Sequence, residues 1–310
     1  MESSSRIRPK NLIIGPGAMA FYIFLGKLSQ IDTSDVRAVS GSSSGAILAL
    51  LWVVLKGDIP EMLDFSLKVP IKSLMKPNIK NFLVHFGMIP LERVQKILST
   101  IFLKTFETSD MTFAQLHKVR PIDLYIAAFC VDRCETVYFS RKSHPDQSIV
   151  QVLSASIAVP LLFSAVTIDP WRYVDGAMQE EVPAMPFIGE PASETLALQT
   201  CPGPPRPTKN ISSFISNLCS SALRLRHKCP VQSYQLSTAD IDVFDFGTDR
   251  LRLFCLGQKS HPLVNAAHYS VWPRPEERLE ARVCQGEQGA EGVLIHPQGE
   301  QDARQGGPGL

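Results

Sequence analysis

Apolar positions along the chain gather into short dense blocks, alternately of strand length and helix length, with glycine, proline or polar residues between them. The first block, residues 11–14, is β-leaning and stops at Gly15-Pro16-Gly17. Residues 18–28 follow, with Phe21, Tyr22, Ile23, Phe24 and Leu25 in unbroken succession, and predict a helix buried on most sides. A second β-leaning run, 36–39, leads into Gly41-Ser42-Ser43-Ser44-Gly45, and the apolar run 46–55 comes after it. That last run is too short to cross a bilayer and reads as a buried helix. The opening of the chain thus spells strand, glycine-rich turn, helix, strand, sharp turn, helix, the alternation of an α/β fold.

Further on, 58–118 is mostly helical in pattern. Apolar residues recur at helical spacing over 59–69 and 91–102, with Pro60 and Pro90 placed as starts. Between them, 68–90 carries Lys68, Lys72, Lys76 and Lys80 beside Phe82, Leu83, Val84, Phe86, Met88 and Ile89, and no acidic residue occurs from 65 to 91. Two readings fit: two helices with a solvated lysine face, or a segment that rests on an anionic lipid surface. Residues 123–131 form a continuous apolar run, as a buried strand does, and 136–140 is placed to pair with it across Asp132-Arg133-Cys134-Glu135. A short helix over 149–158 is stopped by Pro160. After the run 163–168, Tyr173-Val174-Asp175-Gly176-Ala177 closes a short β stretch on an aspartate. Strands are expected at 194–198 and 231–237, a proline-rich loop at 201–207, and helices at 211–225 and 248–258. From Pro273 the composition turns to Pro, Gly, Gln, Glu and Arg, which predicts a disordered tail over 273–310.

Gly41 to Gly45 fits G-x-S-x-G between a strand and a helix, the setting of a nucleophile elbow. Ser43 is then the candidate nucleophile in a strained backbone conformation, with Gly41 and Gly45 kept small because strand and helix pass close together. The Gly15-Pro16-Gly17 turn sits at the carboxyl end of the preceding strand and offers backbone N–H groups to a phosphate or an oxyanion. As a dinucleotide fingerprint it is weak, since no acidic residue closes the second strand. The rest of the composition mainly excludes. With 310 residues, 45% of them hydrophobic and 20% charged, the chain is of ordinary globular type. A net charge of +1 removes the broad electrostatic case for nucleic acid. Seven cysteines without a C-x-x-C pair or His-coupled spacing read as reduced thiols in an intracellular chain. No secretory h-region occurs in the first ten residues, and no metal-ligand spacing or calcium loop occurs anywhere, so neither metal nor cofactor is expected.

Taken together, these blocks make residues 10–260 resemble the patatin-like phospholipases. Gly15-Pro16-Gly17 is similar to the family's glycine-rich oxyanion loop, and Gly41 to Gly45 to its elbow. Asp132 with Thr136 to Ser140 is similar to the strand pair ahead of the second half. Ser154-Ala155-Ser156-Ile157-Ala158-Val159-Pro160, with Phe163, matches the A-S-x-A-x-P-x-x-F stretch, and Asp175-Gly176-Ala177 matches D-G-G/A, with Pro183 a short way beyond. The resemblance implies a three-layer α/β/α sandwich and a Ser-Asp dyad without histidine. Ser43 would be the nucleophile, Asp175 its general base, and Gly15, Gly17 and Ala18 the oxyanion loop. Pro16 stands where the family has a glycine, Met19 where it has a basic residue, and Ala20 where it has another glycine; proline has no N–H to give. A phospholipid or acylglycerol substrate is implied, with a cytoplasmic protein resting on a membrane or lipid surface. Two alternatives stay open. One is an α/β-hydrolase triad of Ser43, Asp175 and His261 or His268, although a single βα unit precedes Ser43. The other, favoured by Pro16, is an impaired relative that binds lipid or a lipase.

Overall fold

The apolar runs become the middle of one mixed sheet. In the computed structural model, residues 8–74, 76–180, 182–201, 207–209, 213–214, 217–218, 229–238 and 241–265 are described, all within the unit Met1–His268. The strands are β1 (Asn11–Ile14), β2 (Ala38–Ser42), β3 (Gly87–Ile89), β4 (Asp123–Cys130), β5 (Glu135–Phe139), β6 (Leu161–Phe163), β7 (Val166–Ile168), β8 (Trp171–Asp175), β9 (Thr195–Cys201), β10 (Gln232–Ser237) and β11 (Leu263–Val264). Helices α1 (Phe21–Leu28), α2 (Ser44–Val54), α3 (Ile59–Lys68), α4 (Ile71–Leu74), α5 (Ile79–His85), α6 (Glu92–Phe106), α7 (Phe113–Val119), α8 (Ile149–Ser156) and α9 (Arg250–Gly257) flank it. The sheet order is β11-β10-β9-β1-β2-β4-β8-β7, with β5 on β4, while β3 and β6 pair apart from it.

Strand periodicity sorts the core into two faces. Leu12 and Ile14 of β1, Val39 of β2 and Ile126 of β4 join the large cluster made with α1, α2, α6 and α8. Ile13, Ala38, Tyr125 and Ala197 point the other way, onto Val182, Ala184, Phe187 and Val231. Helix α1 is buried at every position and α2 at all but one, which is why both read as densely apolar rather than amphipathic. Among the described residues no helix is long and apolar enough to cross a membrane.

Several predicted bounds move. The second strand runs on to Ser42, because Ser40, Gly41 and Ser42 pair with Tyr125, Ile126 and Ala127 although their side chains look like a turn. The run 163–168 divides into the end of β6 and all of β7, which pair with β3 and β8 respectively. The segment 68–90 holds two short helices and also β3, whose partner β6 lies far along the chain. Most of the helix expected at 211–225, part of the loop at 201–207 and the whole tail at 273–310 lie outside the described residues.

Strand β4 acts as the ruler for the site. Parallel β2 pairs with its first half, ending with Ser42 opposite Ala127. Antiparallel β8 pairs with its second half, ending with Asp175 opposite Ala128. Because β5 occupies the other edge over 126–130, β2 and β8 must share one edge and meet end to end. The start of α2 passes directly beneath the end of β1, where a Cβ on Gly45 would overlap the carbonyl oxygens of Ile14 and Gly15. Gly45→Ala is expected to lower stability by about 1–3 kcal/mol, the usual cost of overpacking against groups that cannot move aside. A urea midpoint equal to wild type would show that β1 and α2 can separate without cost.

Candidate active site

Ser43 occupies the turn between β2 and α2 with φ 55 and ψ −132, a region that non-glycine residues avoid. Holding it there costs on the order of 1–3 kcal/mol and needs neighbours that leave no alternative. One is Gly41, where a Cβ would come within 2.5 Å of the Gly45 carbonyl oxygen. Another is Ser156 at the end of α8, which accepts the Ser43 N–H (3.0 Å) and donates its own hydroxyl to the Ala127 carbonyl (2.7 Å). Ser156 therefore ties the elbow to β4. Its role depends on contacts across the fold, and only its place in the Ser154 to Pro160 stretch marked it in the sequence.

From this turn the Ser43 hydroxyl donates to Asp175 Oδ2 over 2.6 Å. Both side chains are buried, Ser43 at 8% exposure and Asp175 at 3%. Asp175 is held at three points: its N–H donates to Ala158 O (2.9 Å), its Oδ1 accepts the Ala177 N–H (2.8 Å), and its Oδ2 meets Ser43. The next residue has to be glycine, since a Cβ on Gly176 would overlap Ala127 O and come within 2.7 Å of Ser42 Oγ. Burial pushes the Asp175 carboxyl up from 3.8 to about 6, against the lowering effect of the Ser43 hydroxyl and the Ala177 N–H. At neutral pH it is still mostly a carboxylate, with a proton affinity suited to accepting the serine proton.

The loop after β1 differs from its expected arrangement. Gly15 is not available as a donor, because its N–H continues the sheet to Leu198 O (2.9 Å). The N–H groups of Gly17 and Ala18 have no partner among the described residues, and Ala18 is left-handed at φ 46. Ala18 and Met19 line the same cavity as Ser43. Ser44, absent from the expected site, adds a further N–H without a partner among the described residues at the start of α2, where the helix dipole favours negative charge. Its hydroxyl is also buried without a partner, and the residue lines the cavity. The signal for it was its place directly after the candidate nucleophile.

The cavity has a volume of about 180 Å³, and among the described residues its wall holds none that is charged. Phe21 and Tyr22 of α1, Ile47 and Leu51 of α2, and Leu98 and Ile101 of α6 build much of it. Of the histidines of the alternative triad, His261 is not brought in, since a ring nitrogen meets Leu256 O at 2.9 Å and the residue does not line the cavity; His268 lies outside the described residues.

Comparison with known proteins bears on the family and the fold. The sequence model of the patatin-like phospholipase family matches residues 12–188. Probable lipid hydrolase 463L of Invertebrate iridescent virus 6 is 24% identical over 183 residues, a stretch that covers 56% of this chain and 61% of the viral protein. In fold, the chain is similar to VipD from Legionella pneumophila, with a TM-score of 0.55 at 15% identity over 81% of this chain and 65% of VipD. The chain thus spans less than two thirds of either relative.

Burial of Asp175 has a measurable cost. Its folded value, about 6, lies above the ordinary 3.8, so its contribution to stability is fully present below pH 3.8 and is lost as pH rises through about 6. The loss amounts to about 3 kcal/mol on the alkaline side. Asp175→Asn keeps an acceptor for Ala177 and cannot ionise, so urea unfolding is expected to find the variant gaining on wild type as pH goes from 4 to 8. A gap that stays constant over that range would show that the carboxyl titrates near its ordinary value.

Proposed function

The chain belongs to the patatin-like phospholipase family, and from that premise we propose that it is a serine lipid acyl hydrolase cleaving carboxylic esters of a phospholipid or acylglycerol. The observation that carries this reading is the 2.6 Å hydrogen bond to a buried Asp175 from the hydroxyl of Ser43, which itself lines an apolar cavity. In the first half-reaction Ser43 Oγ attacks the ester carbonyl carbon while its proton passes to the Asp175 carboxylate. Negative charge then develops on the carbonyl oxygen, and the free N–H groups of Gly17, Ala18 and Ser44 are the donors to receive it. Asp175 returns the proton to the leaving alcohol as the carbon-oxygen bond breaks, leaving an acyl-Ser43 ester. Water repeats the sequence in the second half, releasing the fatty acid and restoring the Ser43 hydroxyl. A wall without charge suits the acyl chain and leaves a polar head group outside. The name of the viral relative, a probable lipid hydrolase, agrees with this substrate class.

One observation favours a second reading. Pro16 has no N–H, and loss of an oxyanion donor commonly costs about 10²-fold or more in rate. A chain so impaired would bind lipid, or a lipase, without turning over ester.

Ser43→Ala is expected to abolish both hydrolysis of a soluble short-chain ester and labelling by a fluorophosphonate while the protein stays folded, because alanine meets the same backbone constraint as serine, although loss of the hydroxyl that donates to Asp175 lowers the unfolding midpoint somewhat at neutral pH. Asp175→Asn should cost at least about 10²-fold in kcat, and the wild-type rate should rise with pH through about 6 to a plateau, following ionisation of Asp175. Labelling that survives in Ser43→Ala, or a wild type with no turnover at all, rejects the enzyme.

Pro16→Gly separates the two readings further. If the missing donor limits the rate, kcat should rise with little change in KM, since such a donor acts in the transition state. An unchanged kcat would mean that Gly17, Ala18 and Ser44 already complete the hole.

A further inference from the structure

Helix α5 is inside out. Its Asn81 points inward and donates to Gly87 O and Ser164 Oγ, while Ile79 and Leu83, four residues apart on one face, are each 77% exposed. Val84 is 66% exposed, and Phe86, which ends the helix in a left-handed conformation, is 53% exposed. A surface helix ordinarily turns its apolar stripe to the core. This one is anchored in the opposite sense: the Asn78 N–H donates to Met88 O (2.7 Å) and the Ala165 N–H to His85 O (3.1 Å), and β3 directly after the helix pairs with β6. The helix is held in place, and what it holds outward is apolar.

Lys80 lies on α5 itself, and Lys72 and Lys76 come shortly before it in the chain. Lys72, Lys76 and Lys80 are exposed, and none pairs with a carboxylate among the described residues. No acidic residue occurs from 65 to 91, although Asp245 comes near Lys72 from another part of the chain, both lying beside Gly247. The Arg172 guanidinium lies 5.1 Å from the centre of the Phe86 ring, which joins β8 to the same surface. Its neighbour Trp171 is part-exposed and has Arg133 over its ring at 5.5 Å, although Arg133 also pairs with Glu135.

We propose that α5 and its flanking lysines form a docking surface for an anionic lipid bilayer. The apolar side chains enter the boundary between head groups and acyl chains, and the lysines remain at the level of the anionic head groups. Lysines without carboxylate partners along the same segment as an exposed apolar face select this occupant over a neutral one. The surface also adjoins the cavity. Ile71 and Leu74 of α4, the helix just before α5, and Phe163 of β6, the partner of β3, line the wall that includes Ser43. Docking by α5 therefore places the cavity beside the lipid. The inference depends on the surface and not on catalysis by Ser43.

The test is co-sedimentation of the full chain with vesicles of phosphatidylcholine containing about one third phosphatidylserine, and with vesicles of phosphatidylcholine alone. Wild type and Ser43→Ala should both bind the anionic vesicles, and binding should weaken with salt as charges are screened. Lys72→Gln with Lys76→Gln and Lys80→Gln should reduce that binding by up to about 10²-fold, and Ile79→Ser with Leu83→Ser by at least about tenfold. Both sets leave hydrolysis of a soluble short-chain ester at the wild-type rate, because these side chains stand outside the site. Equal binding to the two vesicle types, or binding that neither set alters, overturns the proposal. So does self-association of wild type that Ile79→Ser with Leu83→Ser abolishes while vesicle binding persists, since a second copy would then cover the face.

Discussion

Two strands arrive on one edge of β4 from opposite directions and end opposite adjacent residues, Ala127 and Ala128. The rest of the site depends on that meeting. It puts the turn after β2 against the last residue of β8, so that Ser43 and Asp175 touch although they lie 132 residues apart. Ser156 fastens the same place from α8 by bridging the Ser43 N–H to the Ala127 carbonyl, the residue at which β2 stops. The crowding leaves no room for a side chain at Gly41, Gly45 or Gly176.

Such a site is built at a cost to stability. A serine at φ 55, an alanine at φ 46, a buried carboxyl raised to about 6 and a buried hydroxyl without a partner at Ser44 are each unfavourable alone. They coincide within two turns and one strand end, which is the clustering expected where groups are arranged for chemistry rather than for folding. What offsets them lies next door. Helices α1 and α2 are almost wholly buried, and each large side chain withdrawn from water contributes roughly 1.5–3 kcal/mol. The same two helices wall the cavity, so the element that stabilises the elbow also shapes what can reach it.

The segment from α4 to β3 obeys a different rule. Here Ile71 and Leu74 line the cavity, while Ile79, Leu83 and Val84 face out and are more exposed than the apolar side chains left at the surface elsewhere among the described residues. Short elements joined by polar anchors make this possible. Asn78 caps α5 by accepting the Lys80 N–H (3.0 Å), and Asn81 fixes it to the β3–β6 pair. No large apolar face has to be buried to hold the helix there.

Local pattern was enough for much of this protein. Residues 11–14 were legible as β1 to the residue, and the turn before α2 as an elbow, because backbone preference and side-chain periodicity are properties of a few consecutive residues. Asp175 and Gly176 stood out by their place in an ordered set of blocks, and the family those blocks resemble is the one whose model matches residues 12–188. Pairing between distant strands could not be read in this way. The Gly15 N–H goes to Leu198 only because β9 lies beside β1, and β3 exists only because Gly87 and Ile89 meet Leu161 and Phe163. Tertiary structure also decided the proton affinity of Asp175 and the outward face of α5. Burial and pairing are set by which surfaces meet, and those surfaces come from parts of the chain that share no local pattern.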